Sequence, residues 1–379
     1  MKRFLSYLVS VITVLSCITL CASAAQTSDS YRYDSRFDAA LLAFNDLSRI
    51  TEEHYALPGL ESTVLSGDEV CDAMTPQGLC VSEEFIFISA YCGVKRYKTD
   101  LEENVSYGKN EEKLSAEADH KVHNSVIYIL DRETGAYLKT LVLPDDNHVG
   151  GLATDGKNLF IAKSSDKQIS VISSAQINLA MQTKSLTVKV NYDLSSDCGC
   201  TASFVTYHKG ILWVGVFDEN ADGELNGFTF GDKLRLEKVA SAKIPAKANG
   251  AAFYDYEDES CLVVGSSYGR KNLSEVYLYT VDSYGTEGIT LKKKDTYSLP
   301  PLVQNFAFYG DKVYHIYESA ATCYSQVDSL FEIKSTSFPV DRVCIGQADN
   351  LFGWHNENLF HARISAFVRA VKAVVENIF

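Results

Sequence analysis

Short runs of alternating apolar and polar residues, separated by turn residues, fill the middle of the chain. Residues 125–130 (SVIYIL) alternate as a β-strand, a turn follows at residues 131–135, and residues 137–143 form a second strand. A third strand starts near Gly151, and the turn dipeptide Asp155-Gly156 leads into a fourth. Because an Asp-Gly pair between β-branched or aromatic residues is typical of a tight hairpin, the pattern predicts a unit of four antiparallel strands.

The same order, a small-residue inner strand and then an apolar strand, recurs along the chain. Predicted inner strands start at Gly78, Gly151, Ala202, Gly250 and Asn305. The second strands cover residues 85–89, 158–162, 211–216, 261–265 and 312–317. The starts lie about 50 residues apart, once a polar insertion at residues 93–123 is left out of the first interval, and propeller blades repeat at about 40–50 residues.

We therefore predict an all-β fold, a β-propeller of about five blades, with five to seven compatible with the pattern. A β-sandwich also has many short strands, but it does not explain the recurring order. Each blade buries its faces against its neighbours and leaves only short edges. Residues 62–70, which also resemble a strand, are expected to close the ring by pairing into the last blade.

Residues 130–172 resemble the blade consensus of β-propellers of the YVTN and NHL types. The matching pieces are a strand ending in Asp131, the turn Thr134-Gly135, the inner strand at Gly151-Leu152-Ala153, and the strands at residues 160–163 and 169–172. The match is good over about 50 residues and weaker elsewhere. The resemblance, to secreted repeat proteins related to WD40-like and quinoprotein-like propellers, implies the propeller fold.

Helices are predicted at both ends of the repeats. Ser35 is a candidate N-cap, and a helix up to about Glu53 places four apolar residues on one face: Phe37, Leu41, Phe44 and Leu47. The expected organisation is a signal peptide (1–24), an N-terminal helical segment (25–60), the propeller (61–350) and a C-terminal amphipathic helix (351–379). The last helix has a basic side, which favours either packing on the propeller or peripheral association with an anionic membrane.

The first residues have the pattern of a secretory signal peptide. Lys2 and Arg3 precede an apolar stretch, and Ala22-Ser23-Ala24 forms a cleavage site before Ala25. The alternatives are an uncleaved anchor and a lipoprotein acylated at Cys17, which ends a lipobox-like sequence. The sequence predicts a secreted protein, with a cell-surface lipoprotein as the alternative.

Composition restricts the partners and the redox chemistry. The 35 Lys+Arg against 49 Asp+Glu give a net charge of −14, which argues against nucleic-acid binding. Two of the ten cysteines lie in the predicted signal. The remaining eight suggest disulfides in an exported chain but do not determine their pairing.

Propellers usually bind ligands where the loops at the mouth of the central channel converge. We expect the residues before the inner strands and after the second strands to lie there: Gln77, Tyr91, His148, Asn249, Tyr268, Arg270, Gln304 and Glu318. Lys163 and Asp218 follow second strands as well. Amides, aromatic rings and single charges suit small polar or peptide ligands.

A second candidate site is a calcium loop. Asp218, Asn220 and Asp222, followed by Gly223, match the start of an EF-hand loop, but its twelfth position is Thr229 instead of Glu. The same residues are typical of a hairpin turn. Calcium is thus the only candidate cofactor.

The sequence favours a non-catalytic exported propeller that binds a peptide, glycan or cell-wall component through its axial face. One alternative is an extracellular lyase or hydrolase on the same scaffold, although no catalytic residue set or nucleophile elbow is recognisable. The other alternative is a lipid-anchored surface scaffold for protein–protein interaction, held by Cys17 or the C-terminal helix. Fold alone does not decide between them.

Overall fold

A computed structural model of the chain describes residues 35–93, 121–231, 235–256, 259–285, 288–325, 336 and 338–353. Two short helices come first, α1 (Ser35–Ala43) and α2 (Asn45–Arg49). Phe44 between them has extended backbone, with φ −119° and ψ 100°. The predicted helix is therefore interrupted and ends before Glu53. The predicted signal peptide, Cys17 and residues 354–379 of the predicted C-terminal helix lie outside the described residues.

The helices lead into short strands, β1 (Glu53–Ala56), β2 (Thr63–Ser66) and β3 (Glu69–Cys71). Four strands of the first blade follow, β4 (Met74–Val81), β5 (Phe85–Cys92), β6 (Val126–Asp131) and β7 (Tyr137–Val142). The second blade begins with β8 (Val149–Thr154), β9 (Asn158–Lys163) and β10 (Gln168–Ser173), followed by helix α3 (Ser174–Gln182). Strand β11 (Thr187–Lys189) then pairs parallel with β7 of the first blade, and β12 (Leu194–Asp197) completes the second.

The third and fourth blades are regular four-stranded meanders. The third consists of β13 (Phe204–His208), β14 (Ile211–Val216), β15 (Gly223–Phe230) and β16 (Leu236–Ile244). The fourth consists of β17 (Ala248–Tyr256), β18 (Glu259–Ser266), β19 (Ser274–Gly285) and β20 (Gly288–Leu299). The fifth contains β21 (Val303–Tyr309), β22 (Lys312–Tyr317) and β23 (Arg342–Gln347), with short helices α4 (Thr322–Ser325) and α5 (Ala348–Phe352) after β22 and β23.

The innermost strands close into a ring of five. β4 contacts β8, β8 contacts β13, β13 contacts β17, β17 contacts β21, and β21 contacts β4. The chain is thus a five-bladed β-propeller, as the sequence repeat predicts. Within the described ranges, no helix is both long and apolar enough to cross a membrane.

The ring is closed by β1, which pairs antiparallel with β23 and supplies the outermost strand of the fifth blade. The prediction that residues 62–70 close the ring is wrong. They form the separate hairpin β2–β3, whose turn contains Gly67 at φ +53°. The two hairpin strands are adjacent in sequence, so their pairing requires closure of a much shorter loop than pairing with the last blade. The propeller sheet consequently begins within the segment expected to be helical.

Small residues at the inner-strand starts are explained by close approach of the backbones. A Cβ atom added at Gly151 would lie 2.6 Å from the backbone nitrogen of Val205, and one added at Gly250 would lie 2.2 Å from the carbonyl oxygen of Gln304. No side chain fits there without displacing the neighbouring inner strand.

Apolar side chains fill the spaces between adjacent blades. Tyr128 of the first blade packs with Tyr314 and Ile345 of the fifth, across the seam of the ring. Trp213 and Phe253 join the third and fourth blades, with ring centroids 5.4 Å apart. Each interface therefore buries faces that a single blade leaves open.

Candidate functional site

One irregularity, repeated around the ring, forms the candidate site. Four inner strands contain a β-bulge, where an extra residue leaves the regular pairing. The register places Gln77, Gly150, Asn249 and Gln304 at this position, and Ser203 precedes β13 at the equivalent place in the third blade. A bulge bends its strand and redirects a side chain, and bulges are frequent beside functional sites. Each blade thus offers one residue to the axis.

A second set comes from the end of the neighbouring strand in each blade. The register places Tyr91 at the end of β5, and the others follow β9, β14, β18 and β22: Ser164, Phe217, Ser267 and Glu318. Apart from Gly150, which has no side chain, the residues of both sets line one cavity of about 670 Å³. His148, two residues before Gly150, also lines it. The other lining residues come from the loops after β18 and β20 and from α4: Tyr268, Gly269, Arg270, Lys271, Asn272, Leu302 and Tyr324.

The structure therefore brings together all eight predicted axial residues in one cavity. That they bind a ligand stays a prediction. Sequence reasoning missed Ser164, Ser203, Phe217 and Ser267 as axial residues. It chose Lys163, one residue before Ser164, and Asp218 and Tyr268, each one residue after the position that follows the strand. It also began the third inner strand at Ala202, before Ser203. A signal in the sequence identifies these residues. In most of the repeats, one axial position precedes the small residue of the inner strand, and the other follows the end of the second strand.

A buried carboxylate lies on one side of the cavity. Glu318 is only 7% exposed, and its Oε2 accepts a hydrogen bond of 2.7 Å from Nε2 of Gln77. The same amide nitrogen donates to the carbonyl oxygen of Pro76 at 2.8 Å. Both amide protons of Gln77 are thus used within the protein, and the amide fixes the position of the carboxylate.

The cationic side of the cavity is formed by the loop after β18. Nη1 of Arg270 donates to the carbonyl oxygen of Cys323 at 2.5 Å, and its guanidinium lies 4.7 Å from the ring centroid of Tyr324. Ser267 fixes the base of this loop, because its Oγ accepts hydrogen bonds from the backbone nitrogen of Leu302 (2.9 Å) and the hydroxyl of Ser274 (3.0 Å). Asn249 also holds this loop, since its Nδ2 donates to the carbonyl oxygen of Ser267 at 2.7 Å.

His148 contacts two other residues of the cavity lining. Its Nδ1 lies 3.0 Å from Oγ of Ser164, and its ring packs against Tyr91 with centroids 4.7 Å apart. The nearby Asp145 is engaged elsewhere, with Nζ of Lys163 at 2.8 Å.

Lys163 lies beneath the cavity lining and is only 4% exposed. Its Nζ contacts the carboxylates of Asp145 (2.8 Å) and Asp166 (2.7 Å). Burial lowers the pKa of Lys163, but the two carboxylates raise it by more than burial lowers it. The pKa of Lys163 therefore lies above its ordinary value. Lys163 therefore stays charged and connects two loops.

The predicted calcium residues form a surface turn. Oδ1 of Asp218 accepts hydrogen bonds from the backbone nitrogens of Asn220 and Ala221, both at 2.8 Å. These bonds lower the pKa of Asp218. This is the turn chemistry of an Asp side chain, and calcium binding by Asp218, Asn220 and Asp222 stays a prediction.

Comparisons with known proteins add little to these observations. No protein-family model matches the chain, so membership of the YVTN or NHL type stays a prediction. No curated protein matches it in sequence.

The solved structures that are similar to the chain in shape include the following three. A glutaminyl cyclase from Myxococcus xanthus is 9% identical, with a TM-score of 0.41 over 78% of this chain and 94% of its own. A nidogen/laminin complex is 11% identical, with a TM-score of 0.35 over 70% of this chain and 84% of the matched chain. Hydrazine synthase from Kuenenia stuttgartiensis is 10% identical, with a TM-score of 0.35 over 74% and 90%. At these values the likenesses carry no functional argument.

Proposed function

We propose that this chain is an exported β-propeller that binds an extracellular ligand in its axial cavity without transforming it. The observation that carries the proposal is that two structurally equivalent positions from four blades, together with His148 and Ser164 of the second blade, converge on one cavity. Its volume of about 670 Å³ falls within the range of small-molecule and peptide sites. Export follows from the signal-peptide pattern of residues 1–24.

The lining favours a short peptide, including the peptide part of a cell wall, with a glycan as the competing ligand. Glu318 offers a fixed negative charge that suits an amino group. Arg270 and Lys271 offer positive charge that suits a carboxylate. The aromatic rings that line the cavity provide stacking surfaces for side chains or sugars: Tyr91, Phe217, Tyr268 and Tyr324.

Binding is favoured over hydrolysis by the set of ionisable groups. Among the described residues that line the cavity, Glu318 alone carries a carboxylate, whereas glycosidases usually use two. One observation favours the enzyme alternative: a buried carboxylate in a cavity is a common place for a general base. The test therefore also measures the fate of the ligand.

The test measures thermal shifts and calorimetric binding of residues 25–379 with short peptides, their N-acetylated forms, muropeptides and oligosaccharides. We expect free-amine peptides to raise the melting temperature, and Glu318→Gln to abolish the shift because it removes the charge at nearly constant size. Glu83→Gln, in the exposed turn after β4, is the matched control and should bind like the wild type.

Each other outcome contradicts part of the proposal. Shifts with oligosaccharides alone would replace the peptide by a glycan, and a chemically altered ligand in mass spectrometry would establish the enzyme alternative. No shift with any ligand would overturn the binding function. An acylated Cys17 at the mature N-terminus would support the lipid-anchored scaffold, and a chain starting at Ala25 would remove its main support.

A further inference from the structure

Three potential metal ligands meet away from the axial cavity. Cys71 ends β3, Cys92 ends β5, and His123 lies just before β6. The two sulfur atoms are 3.6 Å apart, and Sγ of Cys92 lies 4.0 Å from Nδ1 of His123. One ligand atom from each of the three residues lies within 4.8 Å of the others.

These separations fit a shared cation better than a disulfide. Zinc–sulfur bonds of about 2.3 Å and zinc–nitrogen bonds of about 2.0–2.1 Å place the sulfurs of a tetrahedral site roughly 3.8 Å apart, and sulfur and nitrogen roughly 3.6 Å apart. The observed 3.6 Å and 4.0 Å are close to these edges. A disulfide bond is only about 2.05 Å long, so its formation would require both sulfurs to move.

We infer that Cys71, Cys92 and His123 form a binding site for a thiophilic divalent cation, with Zn²⁺ as the expected ion. Two thiolates and a neutral imidazole offset the double charge of the ion. This matters because both cysteines are only 1% exposed, and an uncompensated charge is costly to bury. Three protein ligands leave a fourth position, which water takes in zinc sites of this kind.

The site would act as a structural clamp. Cys71 belongs to the hairpin between β1 and the first blade, whereas Cys92 and His123 lie at the two ends of the polar insertion in the first blade. A cation bound to all three would fix the hairpin to the blade and would hold the ends of the insertion together. Because a site of this kind is absent from the unfolded chain, binding also stabilises the fold.

The test is the metal content and affinity of residues 25–379, purified under reducing conditions without chelator. We expect one zinc per chain by elemental analysis, and a thiolate-to-metal absorption band after replacement by Co²⁺. We expect a competition assay to show about a hundredfold or greater loss of zinc affinity in each of three variants: Cys71→Ser, Cys92→Ser and His123→Asn. Substitution of residues that only hydrogen-bond to metal ligands already lowers metal affinity about 10–100-fold. Cys261→Ser removes a buried thiol from β18 and should keep full affinity.

A measurement on the wild type keeps the inference testable if a variant does not fold. Zinc should protect Cys71 and Cys92 from alkylation, whereas Cys200, a half-buried thiol outside the cluster, should react at the same rate with and without zinc. Absence of zinc from the reduced protein together with unchanged alkylation would overturn the inference. A Cys71–Cys92 disulfide in protein that binds no zinc after reduction would also overturn it. Retention of Cu⁺ but not Zn²⁺ would overturn the choice of ion.

Discussion

The side chains of Gln77 and Glu318 are joined by a hydrogen bond of 2.7 Å, although the residues are 241 positions apart. Gln77 occupies the bulge of the first blade, and Glu318 follows β22 of the fifth. Their contact therefore crosses the seam of the ring at the axis, while β1 closes the same ring at the outside. In the proposed function, the carboxylate of Glu318 would both bind the ligand and connect the two blades at the seam.

Replacement of Gln77 by Leu should lower the free energy of unfolding by about 1–3 kcal/mol, because a buried carboxylate loses its donor. Urea denaturation measures the change. In the double variant Gln77→Leu/Glu318→Leu neither polar partner remains, so its loss should be smaller than the sum of the two single losses. Strictly additive losses would show that the bond does not couple the two blades.

Gly135 lies against the aromatic ring of the strand that closes the propeller. Its φ is +68°, and an added Cβ would lie 2.1 Å from Cγ of Tyr55. Gly135→Ala should therefore lower the free energy of unfolding more than the control Gly156→Ala does. Gly156 has a φ of +85°, and no atom lies within 4 Å of an added Cβ there. The control should lose only about 1–2 kcal/mol of unfolding free energy, from backbone strain.

Removal of the aromatic ring tests the same contact. In a Tyr55→Ala background, Gly135→Ala should lower the free energy of unfolding no more than Gly156→Ala does, because the added Cβ no longer meets the ring of Tyr55. Thermal or urea denaturation measures all variants. Equal losses for the two glycine substitutions in the wild-type background would contradict the close contact.

His315 should make the protein acid-sensitive. It is completely buried, which lowers its pKa from 6.5 to about 3, and the carbonyl group of Ile50 offsets this only in part. Because the folded-state pKa lies below the unfolded one, its stabilising contribution is complete above about pH 6.5. This contribution is lost as the pH falls towards 3, at up to about 1.4 kcal/mol per pH unit.

His315→Phe should make the free energy of unfolding less dependent on pH between about pH 6.5 and pH 3. Phe does not titrate, and its ring keeps the stacking on Phe306. Urea midpoints between pH 4 and pH 8 measure the pH dependence. Ile316→Val, a neighbouring buried substitution, should lower stability by a similar amount at every pH. A wild-type acid slope retained in His315→Phe would disprove the assignment.

The pKa of Cys198 should lie below that of an ordinary cysteine. The thiol of Cys200, with its sulfur 3.9 Å away, donates to the sulfur of Cys198 and lowers the pKa of Cys198, against the opposing effect of burial. Cys200→Ala should raise that pKa, whereas Cys200→Ser keeps a hydroxyl donor and should keep it low. The pH dependence of Cys198 alkylation, followed by peptide mass spectrometry, measures the shift. An unchanged midpoint in Cys200→Ala would contradict the hydrogen-bond origin.

The repeat made the ring and most of the axial residues predictable from sequence. Glycine or another small residue is required where inner backbones touch, and that requirement leaves a periodic signal. The closing strand was not predictable, since β1 is only four residues long and its exposed or half-buried side chains give no alternation. The cluster of Cys71, Cys92 and His123 has no spacing motif, because its members come from three separate elements.

Closure by β1 also has a consequence for the order of folding. Among the described strands, the first, β1, pairs with the last, β23, so the ring stays open until β23 has been synthesised. Such a distant pairing has a high loop-closure cost and is slow to form. A chain translocated in the unfolded state would have both strands available at once. We expect ring closure to be the late kinetic step of maturation, and truncated chains that lack β23 to remain substrates for proteolysis.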